Sequence, residues 1–361
     1  MEQLIVKDVH SNPVYEIKFE DNFDGLVPLL HSLNAEGRKL CVVSDSTVAG
    51  LYLDTVTGIL KKAGYSCISY VFPAGEASKN LSTVEGLYET LIEASFDRKD
   101  ILLALGGGVT GDLTGFAAAT YLRGIRFIGI PTTLLSMVDS SIGGKTGVDY
   151  KAYKNMVGAF YQPSAVYINV NVLQTLPKRD FLSGMGEVVK HGFILDYAYY
   201  EFLKENTAGI LAMDTAILRE MIYGSLCIKR QVVEQDPTEK GVRALLNFGH
   251  TLGHAIEKMN EFSLMHGECV SAGMVAAAEI SVLRGSLSKE EFLALTDMLR
   301  AFGMMTKVSM LPKEELLSIC HHDKKADGSK INFVLLRRIG EAYIDPEVTD
   351  EEIWTSFQAI V

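Results

Sequence analysis

Between residues 40 and 170 the chain alternates short apolar runs, often β-branched, with longer segments whose apolar residues recur at helical spacing. Runs 40–44, 66–72, 101–105, 126–130 and 165–170 predict strands, and 46–63, 81–95 and 110–120 predict helices between them. Strands that are apolar at nearly every position are covered on both faces. The order therefore predicts an α/β domain with a mainly parallel sheet over residues 1–177. Such sheets bind ligands outside the carboxyl ends of their strands. Past Leu176-Pro177 the β-branched runs give way to long helical stretches, which predicts a mostly α-helical second domain over 178–361. Helices are expected there at 181–192, 215–234, 289–302 and 312–320, and a hairpin joining 331–336 to 341–344.

In the second domain residues 247–268 hold three of the eight histidines, His250, His254 and His266. The core, Asn247-Phe-Gly-His250-Thr-Leu-Gly-His254-Ala-Ile-Glu257, spaces two imidazoles by four and so points both to one side of a helix. That is a metal-ligand spacing, and also the spacing of an ordinary helix surface or a satisfied interior pair. Gly249 and Gly253 weigh toward a site. Each costs roughly 1 kcal/mol against Ala inside a helix, which points to close approach by a ligand or another backbone. His266 opens a run of small residues that reads as a buried helix. A metal there needs an anionic ligand from elsewhere, and Glu187 in Gly186-Glu187-Val-Val-Lys190-His191-Gly192 is a candidate. Glu187, Lys190 and His191 share one helix face. A salt bridge on a solvated face is the usual meaning of that trio, and on spacing alone His191 is either a ligand or a core histidine.

Two segments of the first domain read as anion sites. Strand 101–105 runs into Gly106-Gly107-Gly108-Val-Thr-Gly111-Asp112, a G-x-G-x-x-G turn whose glycines let backbone amides and a helix N-terminus approach a pyrophosphate. It follows the third clear strand, and no acidic residue ends the next one. Asp45, just past the first of these strands, is placed to supply the ribose carboxylate. A structural turn is the plain alternative. Residues 131–149 carry hydroxyls, paired glycines, Asp139 and Lys145, which is loop-forming, anion-binding material, and Lys154 and Asn155 follow.

Bulk properties narrow the partners. At 361 residues there is chain for two full cores. A net charge of −11 excludes a general nucleic-acid or anionic-membrane binder, so an anionic substrate must meet a local cluster of Lys and Arg. Five scattered cysteines without C-x-x-C read as reduced thiols. No signal segment or long apolar run is visible, so a cytoplasmic protein is expected.

Six motifs occur in order: Gly106-Gly-Gly-Val-Thr-Gly-Asp112, Tyr121-Leu-Arg123-Gly, Pro131-Thr-Thr, Val138-Asp-Ser-Ser-Ile-Gly-Gly-Lys-Thr-Gly147, Gly186-Glu-Val-Val-Lys-His-Gly192 and Asn247-Phe-Gly-His-Thr-Leu-Gly-His254. Together they resemble the 3-dehydroquinate synthase family of sugar phosphate cyclases, across both domains. The resemblance implies a carbon-oxygen lyase that converts 3-deoxy-D-arabino-heptulosonate 7-phosphate to 3-dehydroquinate and phosphate in the shikimate pathway. The implied cofactors are NAD and zinc, or cobalt. In the implied sequence a hydroxyl is oxidised by NAD, phosphate is lost by β-elimination, the hydride returns, the ring opens and an intramolecular aldol closes the carbocycle.

By the same resemblance Glu187, His250 and His266 bind the metal, and His254 sits beside the substrate instead. Lys145, Asn155, Lys190, Lys229, Arg243, Asn247 and one of Lys324 and Lys325, with Lys324 the first choice, would hold carboxylate, phosphate and hydroxyls. Asp139 would lie near the reacting centre. Arg123 would reach the neighbouring subunit's site, which makes a homodimer the functional unit. The NAD set would be Asp45, Glu76, Lys79, Gly107, Gly108, Asp112, Thr132, Thr133, Lys145, Lys154 and Thr175. The chain departs from the family in having Thr47 two residues after Asp45 and Gly186 before Glu187. Rival readings are a cyclase making 2-deoxy-scyllo-inosose or a valiolone, a metal-dependent alcohol or glycerol dehydrogenase, and a non-enzymatic metal- and nucleotide-binding protein.

Overall fold

The five apolar runs of the first half each become a strand of one sheet. The computed structural model describes residues 3–151, 153–239, 241–261, 263–322 and 331–361. The chain divides into two compact units between Leu176 and Pro177.

The first unit holds strands β1 (Gln3–Lys7), β2 (Pro13–Glu20), β3 (Lys39–Asp45), β4 (Ser66–Phe72), β5 (Ile101–Gly106), β6 (Arg126–Pro131), β7 (Lys145–Tyr150), β8 (Tyr153–Phe160) and β9 (Ala165–Asn169). Seven of them form one sheet in the order β1-β2-β9-β6-β5-β3-β4. All its pairings are parallel except that of edge strand β1 with β2. The inner strands β5 and β9 are buried at every residue, as near-continuous apolar runs require, whereas β1 and β2 alternate buried and open positions. That short alternation is why sequence patterning passes over β1 and β2.

Helices α1 (Leu26–Ser32), α2 (Ser46–Val48), α3 (Asp54–Lys62), α4 (Leu81–Glu93) and α5 (Gly108–Thr120) fill the connections. The one helix expected over 46–63 is α2 and α3 joined through a wide turn at Ala49–Leu53. From β3 the chain moves to β4 on one side and then crosses back to β5 on the other. This reversal opens a crevice at the carboxyl ends of β3 and β5, where Asp45 and Gly106 stand.

The 131–149 stretch is only partly the expected loop. Residues Lys145–Tyr150 pair with Tyr153–Phe160 as an antiparallel hairpin. Its glycines serve packing. Gly147 and Gly158 face each other, and a Cβ on Gly147 would stand 2.7 Å from the Val157 carbonyl oxygen. Gly115 of α5 likewise makes room for Thr146. Thr146 and Val148 thus turn toward α5 while Lys145 is exposed.

The second unit holds α6 (Lys178–Leu195), α7 (Tyr197–Glu205), α8 (Thr207–Leu211), α9 (Thr215–Gln235), α10 (His250–Met259), α11 (His266–Leu283), α12 (Lys289–Ala301), α13 (Lys313–His322), β10 (Phe333–Arg338), β11 (Glu341–Asp345) and α14 (Asp350–Ala359). Helix α11 is its axis, buried from Cys269 to Ala278 and packed against α6, α10, α12 and α14. Small residues let its neighbours come close. Cβ atoms on Gly267 and Gly273 would run into the backbone of Ser183 and Gly249, and one on Gly253 would lie 3.1 Å from the Cys269 carbonyl oxygen. The close approach expected at Gly249 and Gly253 is therefore to the α11 backbone. Gly249 moreover precedes α10 in a left-handed conformation, φ +80°, which favours glycine.

Candidate functional site

Three helices of the second unit bring a carboxylate and three imidazoles together. Glu187 comes from α6, His250 and His254 from α10, and His266 is the first residue of α11. Glu187 Oε1 lies 3.5 Å from His250 Nε2 and 3.6 Å from His266 Nε2. The ligand atoms of Glu187, His250 and His266 all fall within 4.8 Å of one another. His254 packs its ring 5.2 Å from that of His250 and 5.9 Å from that of His266.

Several observations fit this trio to a cation. Glu187 is 1 % exposed, and its Oε1 is buried with no hydrogen-bond partner among the described residues. A buried oxygen left so is costly unless something positive meets it. Burial alone would raise the Glu187 pKa, yet Lys190, His266 and His250 hold it well below the usual carboxylate range. Burial and Lys190 press His250 toward its neutral form, the form that ligates. His250 Nδ1 faces the Phe248 carbonyl oxygen at 3.2 Å. A carbonyl only accepts, so Nδ1 carries the proton and the Nε2 lone pair turns toward Glu187. The donor set, one carboxylate and two imidazoles without thiolate, suits a divalent metal ion.

The rest of the helical unit supplies buried cations. Lys190 pairs with the second Glu187 oxygen. Lys229 on α9 and Arg243 on the short helix Val242–Asn247 are also buried, on elements packed against α6. Arg243 donates to the Pro237 carbonyl oxygen at 2.8 Å, and Asn247 donates to Glu239 Oε1 at 3.0 Å. His191 points elsewhere: its Nδ1 lies 2.7 Å from Ser225 Oγ on α9, so it is a core histidine and not a ligand. Lys324 and Lys325 lie outside the described residues.

The first unit gathers a separate set at the crevice. Gly107 caps α5, and Thr132 N donates to the Gly106 carbonyl oxygen at 3.0 Å, binding the glycine turn to the segment after β6. Cβ atoms on Gly107 and Gly108 would crowd Thr133 at 3.1 Å and Ser140 at 3.3 Å, which puts Asp139 and its neighbours beside the turn. Asp45 caps α2 through the amides of Thr47 and Val48, and Thr110 donates to its other oxygen at 3.4 Å. Thr132 Oγ1 is buried and has no partner among the described residues. Glycines open to a helix N-terminus, a carboxylate and a spare hydroxyl fit a dinucleotide.

Lys79 joins this crevice to the hairpin. Its ammonium lies 2.7 Å from Asp112 and donates to Asn155 Oδ1 at 2.6 Å. Burial pushes the Asp112 pKa up to about 6 even with Lys79 beside it. Glu76 lies near enough to act on both. Asp149, to which the sequence assigns no role, accepts from the Asn155 amide at 2.7 Å and fixes that residue in a left-handed turn, φ +55°. Lys145 and Lys154 are exposed on the hairpin, and Arg123 is exposed in a left-handed turn after α5. Thr175 donates to the Val172 carbonyl oxygen and touches Tyr52.

Similarity to known proteins agrees with this chemistry. Residues 69–183 match the family model "3-dehydroquinate synthase N-terminal" and residues 184–326 match "3-dehydroquinate synthase C-terminal". A 3-dehydroquinate synthase of Acetivibrio thermocellus is 44% identical over 340 residues, 94% of either chain. Among solved structures, the 2-epi-5-epi-valiolone synthase of Streptomyces hygroscopicus, with NAD+ and Zn2+ bound, is 25% identical with a TM-score of 0.89 over 96% of each chain. A 2-deoxy-scyllo-inosose synthase complexed with carbaglucose-6-phosphate, NAD+ and Co2+ is 26% identical, TM-score 0.87, over all of both chains. On the matched family models, the matched length and the 44% identity, this chain belongs to the 3-dehydroquinate synthase family.

Proposed function

We propose that this family member is an NAD- and divalent-metal-dependent cyclase that eliminates phosphate from 3-deoxy-D-arabino-heptulosonate 7-phosphate. The observation that carries the metal reading is the convergence of His250 Nε2 and His266 Nε2 on the buried, unpartnered Oε1 of Glu187. When bound, zinc or cobalt would polarise substrate hydroxyls, and NAD would take up and return one hydride without net oxidation. The chain's own residues do the holding. Lys190, Lys229 and Arg243 are buried cations suited to carboxylate, phosphate or hydroxyl oxygens, and Asn247 adds an amide. His254, ring to ring with both metal candidates, is placed to exchange a proton with a nearby substrate oxygen. Lys145, Asn155 and Asp139 of the first unit, and Lys324, are further substrate contacts that the family resemblance implies.

For NAD the reading assigns the pyrophosphate to Gly107 and Gly108, with Asp112 and Lys79 beside them, the ribose to Asp45 and Glu76, and further contacts to Thr132, Thr133, Lys145, Lys154 and Thr175. The buried Thr132 hydroxyl supports it. Arg123, exposed and held in a left-handed turn, serves a second subunit in a homodimer. Among the described residues no helix is long and apolar enough to cross a membrane and the cysteines form no disulfide, which suits a cytoplasmic setting.

The test offers the heptulosonate 7-phosphate to metal-loaded protein with NAD while phosphate and NADH are followed together. Phosphate released without accumulating NADH, lost with a chelator and restored by Zn2+ or Co2+, is the expected result. NADH rising with an alcohol substrate, or no phosphate, would overturn the reading in favour of a dehydrogenase. Equal turnover of a sugar phosphate lacking a carboxylate would shift the substrate toward that of the two structural neighbours.

A further inference from the structure

His266 is the one imidazole of the cluster with a carboxylate on each side. Its Nε2 faces Glu187 Oε1 at 3.6 Å, and its Nδ1 faces Glu257 Oε2 at 3.7 Å. Glu257 is buried and lies on α10 three residues past His254 and seven past His250, on the same face. It is in ligand reach of His254 and His266, so these form a second trio, which shares His266 with the first. Only one trio converges on an unpartnered buried oxygen, and that oxygen is on Glu187.

The two imidazole candidates are built alike. His250 shows its Nδ1 to the Phe248 carbonyl and its Nε2 to Glu187. His266 shows its Nδ1 to Glu257 and its Nε2 to the same Glu187 oxygen. An ionised carboxylate, like a carbonyl, only accepts. With a cation seated between Nε2 and Glu187, Glu257 would keep the proton on Nδ1 and leave the Nε2 lone pair to the cation, and being charged it would also make that lone pair more basic.

Building on the metal reading above, we propose that Glu257 is the positioning residue of His266: it fixes the ring and its tautomer and is not itself a ligand. The separation of 3.7 Å is about half an ångström beyond hydrogen-bond contact. A small rotation of the ring as Nε2 engages a cation would close it.

The test titrates Co2+ alone into metal-free wild type and into Glu257→Gln and Glu257→Ala proteins, following the visible absorption of cobalt and the number of ions bound per chain. Metal-free melting temperatures are taken alongside. Glu257→Gln keeps the shape and an acceptor but loses the charge, so it guards against a variant that fails to fold. We expect one ion per chain in wild type, affinity weaker by about 10- to 100-fold in Glu257→Ala, an intermediate loss in Glu257→Gln, and one cobalt spectrum throughout. Wild-type affinity in both variants would overturn the assignment and leave the metal reading standing. Two ions per chain, or a changed spectrum in Glu257→Gln, would make Glu257 a ligand instead. A wild-type chain that binds no Co2+ would overturn the metal reading and this inference together.

Discussion

Arg179 and Glu268 are joined by two parallel charge-assisted hydrogen bonds, Nε to Oε1 at 2.8 Å and Nη2 to Oε2 at 2.7 Å. The pair clamps the start of α6 to the first turn of α11, whose opening residue is His266. Glu268 also accepts from the Met265 amide at 2.8 Å, and Arg179 donates to the Ser263 carbonyl oxygen at 3.1 Å. Arg179 is more than half exposed, so its effect on global stability is small. Its effect on where His266 sits is not. Arg179→Ala should weaken metal affinity by about tenfold or less while the metal-free melting temperature holds. Arg179→Lys should restore only part, because an ammonium cannot make the two-bond fork. Chelator competition reads this, and unchanged affinity in Arg179→Ala would leave the seating of α11 to packing alone.

That packing makes its own prediction. Gly267 lies against the Ser183 backbone, where a Cβ has no room, and its amide donates to Ser183 Oγ at 3.1 Å. A Cβ on Gly186 would meet the Gly267 Cα at 3.1 Å, which is tight but within what small shifts absorb. Gly267→Ala should destabilise by about 3 kcal/mol or more and Gly186→Ala by less than about 1.5 kcal/mol. Urea unfolding of the two metal-free proteins separates these costs. Equal costs would mean that α6 and α11 can slide apart.

How much of this was legible in the sequence depended on whether a signal was local. The inner strands were, because burial on both faces writes an unbroken apolar run, and so was the helical pairing of His250 with His254. The hairpin from Lys145 was not. Its glycines and threonines look like a loop until Gly147 meets Gly158 and Thr146 meets Gly115. His191 could not be told from a ligand by spacing, since Ser225, its partner, is 34 residues away. Glu257 was in plain view at helical spacing from both histidines, and that spacing was the missed signal. What no local pattern carries is Nδ1 of His266 turning back to α10. Local sequence made Glu187 a candidate ligand, and motif resemblance chose it, because the helix carrying it also reads as an ordinary charged trio.

Asp112 sets a pH dependence in the first unit. Burial raises its pKa from 3.8 to about 6, against the pull of Lys79. Between those values the folded chain binds a proton that the unfolded chain has released. Stability from this group therefore falls as pH rises through the window, by at most about 3 kcal/mol. Asp112→Asn mimics the protonated form and removes the dependence. Wild type and Asp112→Asn should have similar unfolding free energies near the acid end, with the variant gaining as pH rises toward neutrality. Parallel urea titrations across pH check it, and a difference that does not change with pH would sink the argument.

Thr132 separates a hydroxyl kept for a ligand from one kept for the fold. Its Oγ1 is buried beside the glycine turn with no partner among the described residues, while its amide already bonds the Gly106 carbonyl oxygen. A hydroxyl held so costs stability in the free protein. Thr132→Val keeps the shape and the amide and deletes only that oxygen. The free protein should melt at the same temperature or higher, whereas NAD should bind about tenfold more weakly, the value of one lost hydrogen bond to a buried partner. Calorimetry with NAD alone reads the affinity. A variant that melts lower and binds NAD as tightly would assign the hydroxyl to the fold, since its partner would then have to be protein and not cofactor.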